Sequence, residues 1–262
     1  MEYGKNIRMN FFHLIFIRYV NGEAMVSDYI IRSKKYILNT DKYVCNKFGL
    51  AEVFAKHFDD IYNDCPTFIL DVGCGVGPLS IFLADKYHCH ITATDINSKA
   101  CELCITNIEK YNLQYEISIL QADFRNFSNT YKDIKYDLIV SAPPVDENIT
   151  SDEILNFSAY DLSSLDDKSF SFITNSWCDE CGKDLSDYIF SYAKTHLNNN
   201  GSIILVFCDI DCKSTNYIVN KALTHGFCVL NSVDSFISPQ KLGVENFIQR
   251  NICVHLMRFT RR

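Results

Sequence analysis

The sequence lacks a hydrophobic run long enough to cross a membrane. Its first apolar stretch, Phe11–Ile17, contains His13 and is followed by Arg18. That stretch is about seven residues long. A membrane helix needs about 20 apolar residues, and the apolar core of a signal peptide is usually longer than seven. We therefore predict a cytoplasmic protein without a membrane partner.

Proline and glycine are also scarce. Five prolines and ten glycines among 262 residues leave little room for a long disordered linker. The hydrophobic share of 47% and the charged share of 22% are those of an ordinary folded protein. The length suffices for one large core, or for one core with a small appendage.

Positive charge is in deficit: 25 lysines and arginines stand against 32 aspartates and glutamates, so the formal net charge is −7. No segment forms a strongly basic domain of the kind that attracts a phosphate backbone. The charge therefore weighs against a large nucleic acid as substrate, although a local patch or a partner subunit could still bind one.

Cysteine is abundant, with twelve residues, but most lie in apolar runs such as SIILVFC and GFCVL, where cysteine acts as a small hydrophobe. The pair Cys101/Cys104 follows a helical apolar pattern. The pair Cys178/Cys181 has zinc-like spacing but lacks a second pair at a fitting distance. We predict no structural metal and no disulfide.

From Thr67 onward, short apolar runs alternate with helical patterns, which predicts an α/β fold with a mainly parallel, doubly wound, seven-stranded sheet. The last two strands have no helix between them, so the last is expected to be antiparallel. The predicted strands are Phe68–Val72, His90–Thr94, Ile117–Gln121, Tyr136–Ser141, Ser202–Cys208, Phe227–Val233 and Asn251–Met257. The predicted helices are Leu79–Lys86, Ser98–Tyr111, Leu185–Leu197 and Ser214–Thr224, with a turn at Asn198–Gly201.

Residues 1–66 differ in pattern from residues 67–262. Residues 24–38 resemble two short strands that turn at Ser33–Lys35, and Phe54, Phe58 and Ile61 share one face of a helix that follows. We predict a hairpin-and-helix extension that folds over the carboxyl edge of the sheet, where open α/β sheets bind ligands.

A glycine-rich turn directly follows the first predicted strand of the sheet. The turn contains Asp71, Gly73, Cys74, Gly75 and Gly77. Glycines at such a turn let the backbone pass close beneath a ligand, because a Cβ atom would collide with it. The turn is therefore a candidate ligand-binding loop, and a glycine turn without a ligand is the alternative.

The next two strands also end in carboxylates. Asp95, followed by Ile96, is placed to accept hydrogen bonds from the hydroxyls of a ribose. Asp123 offers an acceptor for an adenine amino group, and Phe124 offers an aromatic ring for the adenine face. Taken singly, Asp95 could be only a helix N-cap and Asp123 only a loop carboxylate.

A dinucleotide cofactor is the competing interpretation, and it requires the spacing GxGxxG with a helix N-terminus facing a pyrophosphate. Here Gly77 comes one position early. Asp71 would repel a pyrophosphate, but it suits the positively charged amino-acid end of S-adenosylmethionine.

The stretch DVGCGVGPLS, with Asp95 and the pair Asp123/Phe124, resembles the cofactor motifs of class I (Rossmann-like) S-adenosylmethionine-dependent methyltransferases over residues 67–257. The resemblance implies S-adenosyl-L-methionine as cofactor. The cofactor-binding residues that it implies are Asp71, Gly73, Cys74, Gly75, Gly77, Asp95, Ile96, Asp123, Phe124 and Ser141.

The segment Ser141-Ala142-Pro143-Pro144-Val145 resembles the [Asn/Asp/Ser]-Pro-Pro-[Tyr/Phe] motif of the release-factor glutamine and ribosomal-RNA guanine N-methyltransferases. The resemblance implies that Ser141, Ala142, Pro143 and Pro144 form the catalytic turn. Ala142 and Val145 replace the side chains that hold the acceptor, so the motif is altered, and Ser141 is the candidate to compensate. A rigid turn without catalytic function is the alternative.

Tyr43, Phe48 and Trp177, the only tryptophan, are candidate substrate residues that could equally belong to the core. The predicted function is methyl transfer to a nitrogen of a small molecule or peptide. Nucleic acid comes second, because Val145 cannot stack on a flipped base and the net charge is −7. An RNA or protein N-methyltransferase and a noncatalytic cofactor-binding module are the alternatives.

Overall fold

A seven-stranded sheet in the order β6-β5-β4-β7-β8-β10-β9 forms the centre of the protein. The computed structural model describes residues 16–17, 25–31, 34–41, 44, 48–127, 134–143, 185–209, 214–242 and 250–262. The strands are β1 (Phe16–Ile17), β2 (Met25–Ile31), β3 (Lys34–Thr40), β4 (Phe68–Val72), β5 (His90–Asp95), β6 (Ile117–Gln121), β7 (Tyr136–Ser141), β8 (Leu197–Asp209), β9 (Phe227–Ile237) and β10 (Ile252–Arg261). The helices are α1 (Gly49–Ile61), α2 (Pro78–Tyr87), α3 (Ser98–Lys110), α4 (Leu185–His196) and α5 (Ser214–Thr224).

Strand direction follows from the connections between the strands. The strands β4, β5, β6, β7 and β8 are parallel to one another, whereas β10 is antiparallel to both β8 and β9. Parallel neighbours need a long crossover, usually a helix, and antiparallel neighbours do not. The predictions of a mainly parallel seven-stranded sheet and of an antiparallel last strand are confirmed.

The segment Asn198–Gly201 belongs to β8, where a turn was predicted. Tyr136 pairs with Leu197, and the next pair joins Leu138 to Ser202, so the four residues bulge out opposite Asp137. Asn198 donates from Nδ2 to the Asp137 carboxylate at 2.6 Å, which holds the bulge against β7. Residues that usually form a turn are therefore part of a strand here, because the Asp137 carboxylate accepts the hydrogen bond of the Asn198 side chain.

Two apolar cores fill the two faces of the sheet. On one face, Phe54 and Phe58 of α1 contact Phe82 of α2 with ring centroids 6.0 and 5.9 Å apart. On the other face, Phe190 of α4 packs against Phe259 of β10 at 5.2 Å. Since α1 shares a core with the sheet, residue 66 does not separate two cores, and the division there stays a prediction.

The N-terminal hairpin is present, with β2 and β3 paired antiparallel. Its described part lies against helices: the Asn39 backbone N–H donates to Asn107 of α3 at 2.7 Å, and the Tyr36 hydroxyl donates to Asp85 of α2 at 2.9 Å. This position differs from the predicted one over the carboxyl edge. Among the described residues, no helix is both long and apolar enough to span a membrane.

Candidate cofactor and acceptor site

The glycine loop after β4 is held to the neighbouring strand by its backbone. The N–H groups of Gly73 and Cys74 donate to the Thr94 carbonyl of β5 at 2.8 and 2.9 Å. Gly73, Gly75 and Gly77 have φ angles of +71°, +55° and +94°. A side chain at such angles costs about 1–2 kcal/mol, which explains the choice of glycine at this turn.

Gly75 and Gly77 differ in what surrounds them. A Cβ atom at Gly77 would lie 2.7 Å from the Cys104 sulfur of α3, so packing within the protein requires this glycine. A Cβ atom at Gly75 would meet no protein atom within 4 Å. The open side of Gly75 is therefore where a ligand can approach the loop backbone.

Asp95 at the end of β5 lies against this loop. One carboxylate oxygen accepts the Gly75 N–H at 2.8 Å, and the other accepts the Asn97 N–H at 2.9 Å. Burial raises the pKa of Asp95, and the backbone donors oppose that rise. A carboxylate offers about four acceptor positions, so acceptor capacity remains for a ribose hydroxyl. Ile96 follows and is half-buried.

Asp71 occupies a different position from the other carboxylates. Its side chain is 1% exposed, and it accepts the Ser80 hydroxyl of α2 at 2.5 Å. Burial raises the pKa of Asp71 to about 7. The carboxylate lies beneath the loop instead of on its open side, so its predicted contact with the amino-acid end of the cofactor stays a prediction.

At the end of β6, Asp123 accepts the Arg125 N–H at 3.0 Å and pairs with the Arg125 guanidinium at 2.7 Å. The guanidinium lowers the pKa of Asp123. The Phe124 ring lies in the core, 5.0 Å from the Phe127 ring and 5.3 Å from the Tyr192 ring. The predicted adenine contacts of both residues stay predictions, and that of Phe124 requires a change in this packing.

Ser141 ends β7, directly beside Val72 of β4. Its side chain is fully buried, and its hydroxyl donates to the Val72 carbonyl at 2.7 Å. Ala142 is half-buried and Pro143 is buried, whereas Pro144 lies outside the described residues. The hydroxyl proton of Ser141 is engaged within the sheet, so the structure does not offer it to a substrate.

Of the candidate substrate residues, Phe48 is 3% exposed and belongs to the core cluster around α1. Tyr43 and Trp177 lie outside the described residues, as do Cys178 and Cys181. No pocket wall can therefore be assigned to this set, and the three substrate roles stay predictions.

Asn107 is a supporting residue that the sequence reasoning missed. It is fully buried in α3, and its side-chain amide donates to the carbonyls of Val76 in the glycine loop, at 3.0 Å, and Asn39 in β3, at 3.1 Å. A signal was present in the sequence, because Asn107 lies beside Ile108 at the apolar face of the predicted helix. An amide there needs hydrogen-bond partners, and the loop and the hairpin supply them.

The strand order, with a glycine loop and an acidic residue at the ends of two adjacent central strands, defines the class I methyltransferase fold. A solved structure with the same fold is that of TYW2 from M. jannaschii, described as a complex with AdoMet. It has a TM-score of 0.54 and 14% sequence identity, and the match covers 94% of this chain and 90% of that one.

Residues 50–159 match the family model described as the methyltransferase small domain. A tRNA1(Val) (adenine(37)-N6)-methyltransferase of Bacteroides fragilis is 37% identical over 76 residues, which are 29% of this chain and 32% of that protein. A release factor glutamine methyltransferase of Fusobacterium nucleatum is 40% identical over 77 residues, 29% of this chain and 21% of that protein. The chain thus spans about a third or less of these relatives.

The sheet has the class I methyltransferase fold, whose cofactor is S-adenosylmethionine, and residues 50–159 match a methyltransferase family model. The described residues fit this cofactor: Gly75 leaves open space beside the loop backbone, and Asp95 presents a carboxylate at the same place. The competing dinucleotide interpretation has no support in these matches.

Proposed function

We propose that the protein transfers a methyl group from S-adenosylmethionine to an amino nitrogen attached to a planar group. The observation that carries this proposal is the adjacency of two segments on neighbouring strands. The loop at Gly75 and Asp95 would hold the methyl donor, and the turn that begins after Ser141 follows the strand hydrogen-bonded to β4. A donor and an acceptor bound there would lie side by side.

The reaction needs little from the protein beyond position. Bound S-adenosylmethionine supplies a methyl group on a positively charged sulfur; the nitrogen–carbon bond forms as the sulfur–carbon bond breaks, and the acceptor nitrogen then releases a proton to solvent. Holding the two reactants close and in line can supply about 7–11 kcal/mol of the barrier. Asp95 and the loop N–H groups would provide that orientation on the donor side.

The relatives support a macromolecular acceptor. The name of one relative specifies N6 of adenine, and the name of another specifies glutamine. Adenine N6 and the glutamine side-chain amide are both NH₂ groups on a planar framework. We therefore propose RNA or protein as the source of the acceptor, ahead of the small molecule that the net charge favours. Residues other than Ala142 and Val145 would then bind the planar group.

A transfer assay with radiolabelled S-adenosylmethionine tests the proposal. Total tRNA, a purified release factor and a small-molecule extract are the three acceptor fractions, and Asp95→Ala is the matched variant. Label that enters tRNA or protein and is lost in Asp95→Ala supports the proposal. Label only in the small-molecule fraction would reverse the ranking of acceptors, and tight cofactor binding without transfer would indicate a noncatalytic module.

The altered turn can be tested separately with the double substitution Ala142→Asn and Val145→Tyr. These changes restore the side chains of the resembled motif. If the acceptor is an adenine or a glutamine side chain, we expect a higher transfer rate to tRNA or to the release factor. A loss of transfer would show that the altered turn fits a different acceptor.

A further inference from the structure

Four side chains able to bind a metal come together where β8, β9 and β10 meet at the carboxyl edge of the sheet. His255 of β10 pairs directly with Asp234 of β9, and Cys253 of β10 pairs directly with Asp209 of β8. Residues that pair directly, and residues two apart on one strand, share a face of the sheet. All four side chains therefore lie on the same face, and we call them the edge cluster.

The edge cluster has the distances of a potential ligand set. The Nδ1 atom of His255 lies 2.7 Å from an Asp234 carboxylate oxygen, and its Nε2 atom lies 3.5 Å from an Asp209 oxygen. Asp234, Cys253 and His255 each offer one ligand atom, and these three atoms lie within 4.8 Å of one another. Such a group can contract onto a single ion with small side-chain movements.

The charges of the edge cluster are not balanced by the described residues. Asp209 is 8% exposed, and its Oδ1 atom is buried without a hydrogen-bond partner. Its Oδ2 atom accepts the Thr215 hydroxyl at 3.0 Å. In the part of the chain that the structure describes, His255 is the only basic side chain that pairs with Asp209 or Asp234. The two carboxylates have one basic partner between them, and a cation bound beside them would offset their negative charge.

We propose that the edge cluster binds one divalent transition-metal ion of the zinc type. Asp234, Cys253 and the Nδ1 atom of His255 supply oxygen, sulfur and nitrogen ligands, the donor set that zinc accepts. Asp209, 3.5 Å from Nε2, would then accept the Nε2–H of His255, which is the carboxylate–histidine–metal arrangement that fixes the ring tautomer. Because Asp234 is exposed, a fourth position is open to solvent.

Asp234 lies on β9, 19 and 21 positions before Cys253 and His255 on β10, so the sequence alone does not bring the three ligands together. The prediction of no metal rested on the spacing of Cys178 and Cys181, which are not members of the edge cluster. The proposal is independent of methyl transfer, since it concerns the β8–β10 side of the sheet and not the glycine loop.

Cobalt(II) chloride is the first probe, because a thiolate bound to cobalt gives a charge-transfer absorption that other ligands do not. We expect the full-length protein to bind one cobalt per chain with this absorption, and excess zinc chloride to displace it. Cys253→Ser should abolish the absorption. Cys228→Ser on β9 and Cys178→Ser should keep it, which makes them matched thiol controls.

Zinc affinity, measured by calorimetry, is the second readout. Asp209→Asn should weaken zinc binding about 10–100-fold, the usual effect of losing the carboxylate behind a ligating histidine. Asp234→Asn changes an exposed side chain, so it keeps the fold, and it should weaken binding at least about tenfold. The proposal is overturned if Asp234→Asn binds as tightly as the wild type, if the absorption persists in Cys253→Ser, or if it disappears in Cys178→Ser.

Discussion

Asp71 and Asp95 show how neighbouring carboxylates acquire different properties. Both stand near the ends of adjacent parallel strands, and burial raises the pKa of each. Asp71 is enclosed and accepts the Ser80 hydroxyl, whereas Asp95 accepts backbone N–H groups at the mouth of the loop. The first is placed to hold α2 against β4, and the second is placed to meet a ligand.

Substitution of Asp95 should weaken cofactor binding. In Asp95→Ala the Gly75 N–H loses its acceptor, and a ribose hydroxyl would lose a charged partner, an interaction of about 1.5–3 kcal/mol. We expect the dissociation constant for S-adenosylhomocysteine, measured by calorimetry, to rise by one to two orders of magnitude. Glu102→Gln, an exposed change on α3, is the control, and equal affinities for all three proteins would remove Asp95 from the site.

Asp71 should make the stability depend on pH. Between the ordinary carboxyl pKa of 3.8 and the folded-state value of about 7, the unfolded chain is ionised and the native one protonated at this site. A rise in pH through that window therefore lowers the free energy of unfolding, by up to about 1.4 kcal/mol per pH unit.

The variant Asp71→Asn carries no proton to lose and should remove this slope. We expect urea denaturation to show that the variant gains stability relative to the wild type between about pH 4 and about pH 7. Ser80→Ala, which removes the hydrogen-bond donor but keeps the carboxyl, should retain the slope. A pH-independent difference between Asp71→Asn and the wild type would mean that Asp71 is ionised in the native state.

At the scale of the element, the glycine loop must both pack against α3 and leave space for a ligand. Gly77 serves the packing of the loop on α3, and Gly75 serves the open side where the cofactor is expected. The two glycines should therefore respond differently to the same substitution.

Gly77→Ala should destabilise the fold, because the new Cβ atom meets the Cys104 sulfur in addition to the strain of a positive φ. Gly75→Ala should cost only the strain, about 1–2 kcal/mol, yet weaken S-adenosylhomocysteine binding at least tenfold. Gly226→Ala has the same strain with open surroundings and is the control. Thermal unfolding and calorimetry separate the effects; unchanged affinity in Gly75→Ala would place the cofactor elsewhere.

Asn107 links three elements: α3, the glycine loop and β3. Asn107→Ala would leave the Val76 carbonyl and both backbone groups of Asn39 without their partner, at about 1–3 kcal/mol for each group that stays buried. We expect lower stability and, because Val76 belongs to the loop, weaker cofactor binding. Thr106→Ala on the exposed side of α3 should change neither, and an Asn107→Ala protein of full stability and affinity would contradict this role.

At the scale of the whole molecule, Arg258 of β10 connects the end of α1 to strands β8 and β10. Its guanidinium donates to the Ser202 hydroxyl at 2.8 Å, to the Ile61 carbonyl at 3.1 Å and to Asp64 at 2.6 Å. It also lies 4.8 Å from the centre of the Tyr62 ring. These contacts join the end of the N-terminal helix to β8 and β10.

Arg258→Ala should lower the free energy of unfolding by about 2–3 kcal/mol, because the planar fork of donors is lost at a side chain that is only 14% exposed. Arg258→Lys keeps the charge but not the fork, so we expect it to restore only part of the loss. Arg262→Ala, at the exposed residue directly after β10, is the control and should lie within about 0.5 kcal/mol of the wild type in urea denaturation.

Patterns that are local in the chain determined the elements and the cofactor loop. Strand β4 at Phe68–Val72 and helix α5 at Ser214–Thr224 have their predicted bounds, because the apolar period and the flanking polar residues are written within a few positions. The glycine loop and Asp95 were recognisable for the same reason, since each directly follows a strand.

Only the tertiary structure decided how individual side chains are used. That the Ser141 hydroxyl faces Val72, and that Asp209 and Asp234 flank His255, depend on which strands become neighbours, whereas the enclosure of Asp71 by Ser80 depends on how α2 packs on β4. The strand-to-strand contacts among them join residues 21 to 69 positions apart along the chain. Apolar periodicity shows which face of a strand is buried but not which strand lies beside it, so no local pattern in the sequence could have predicted them.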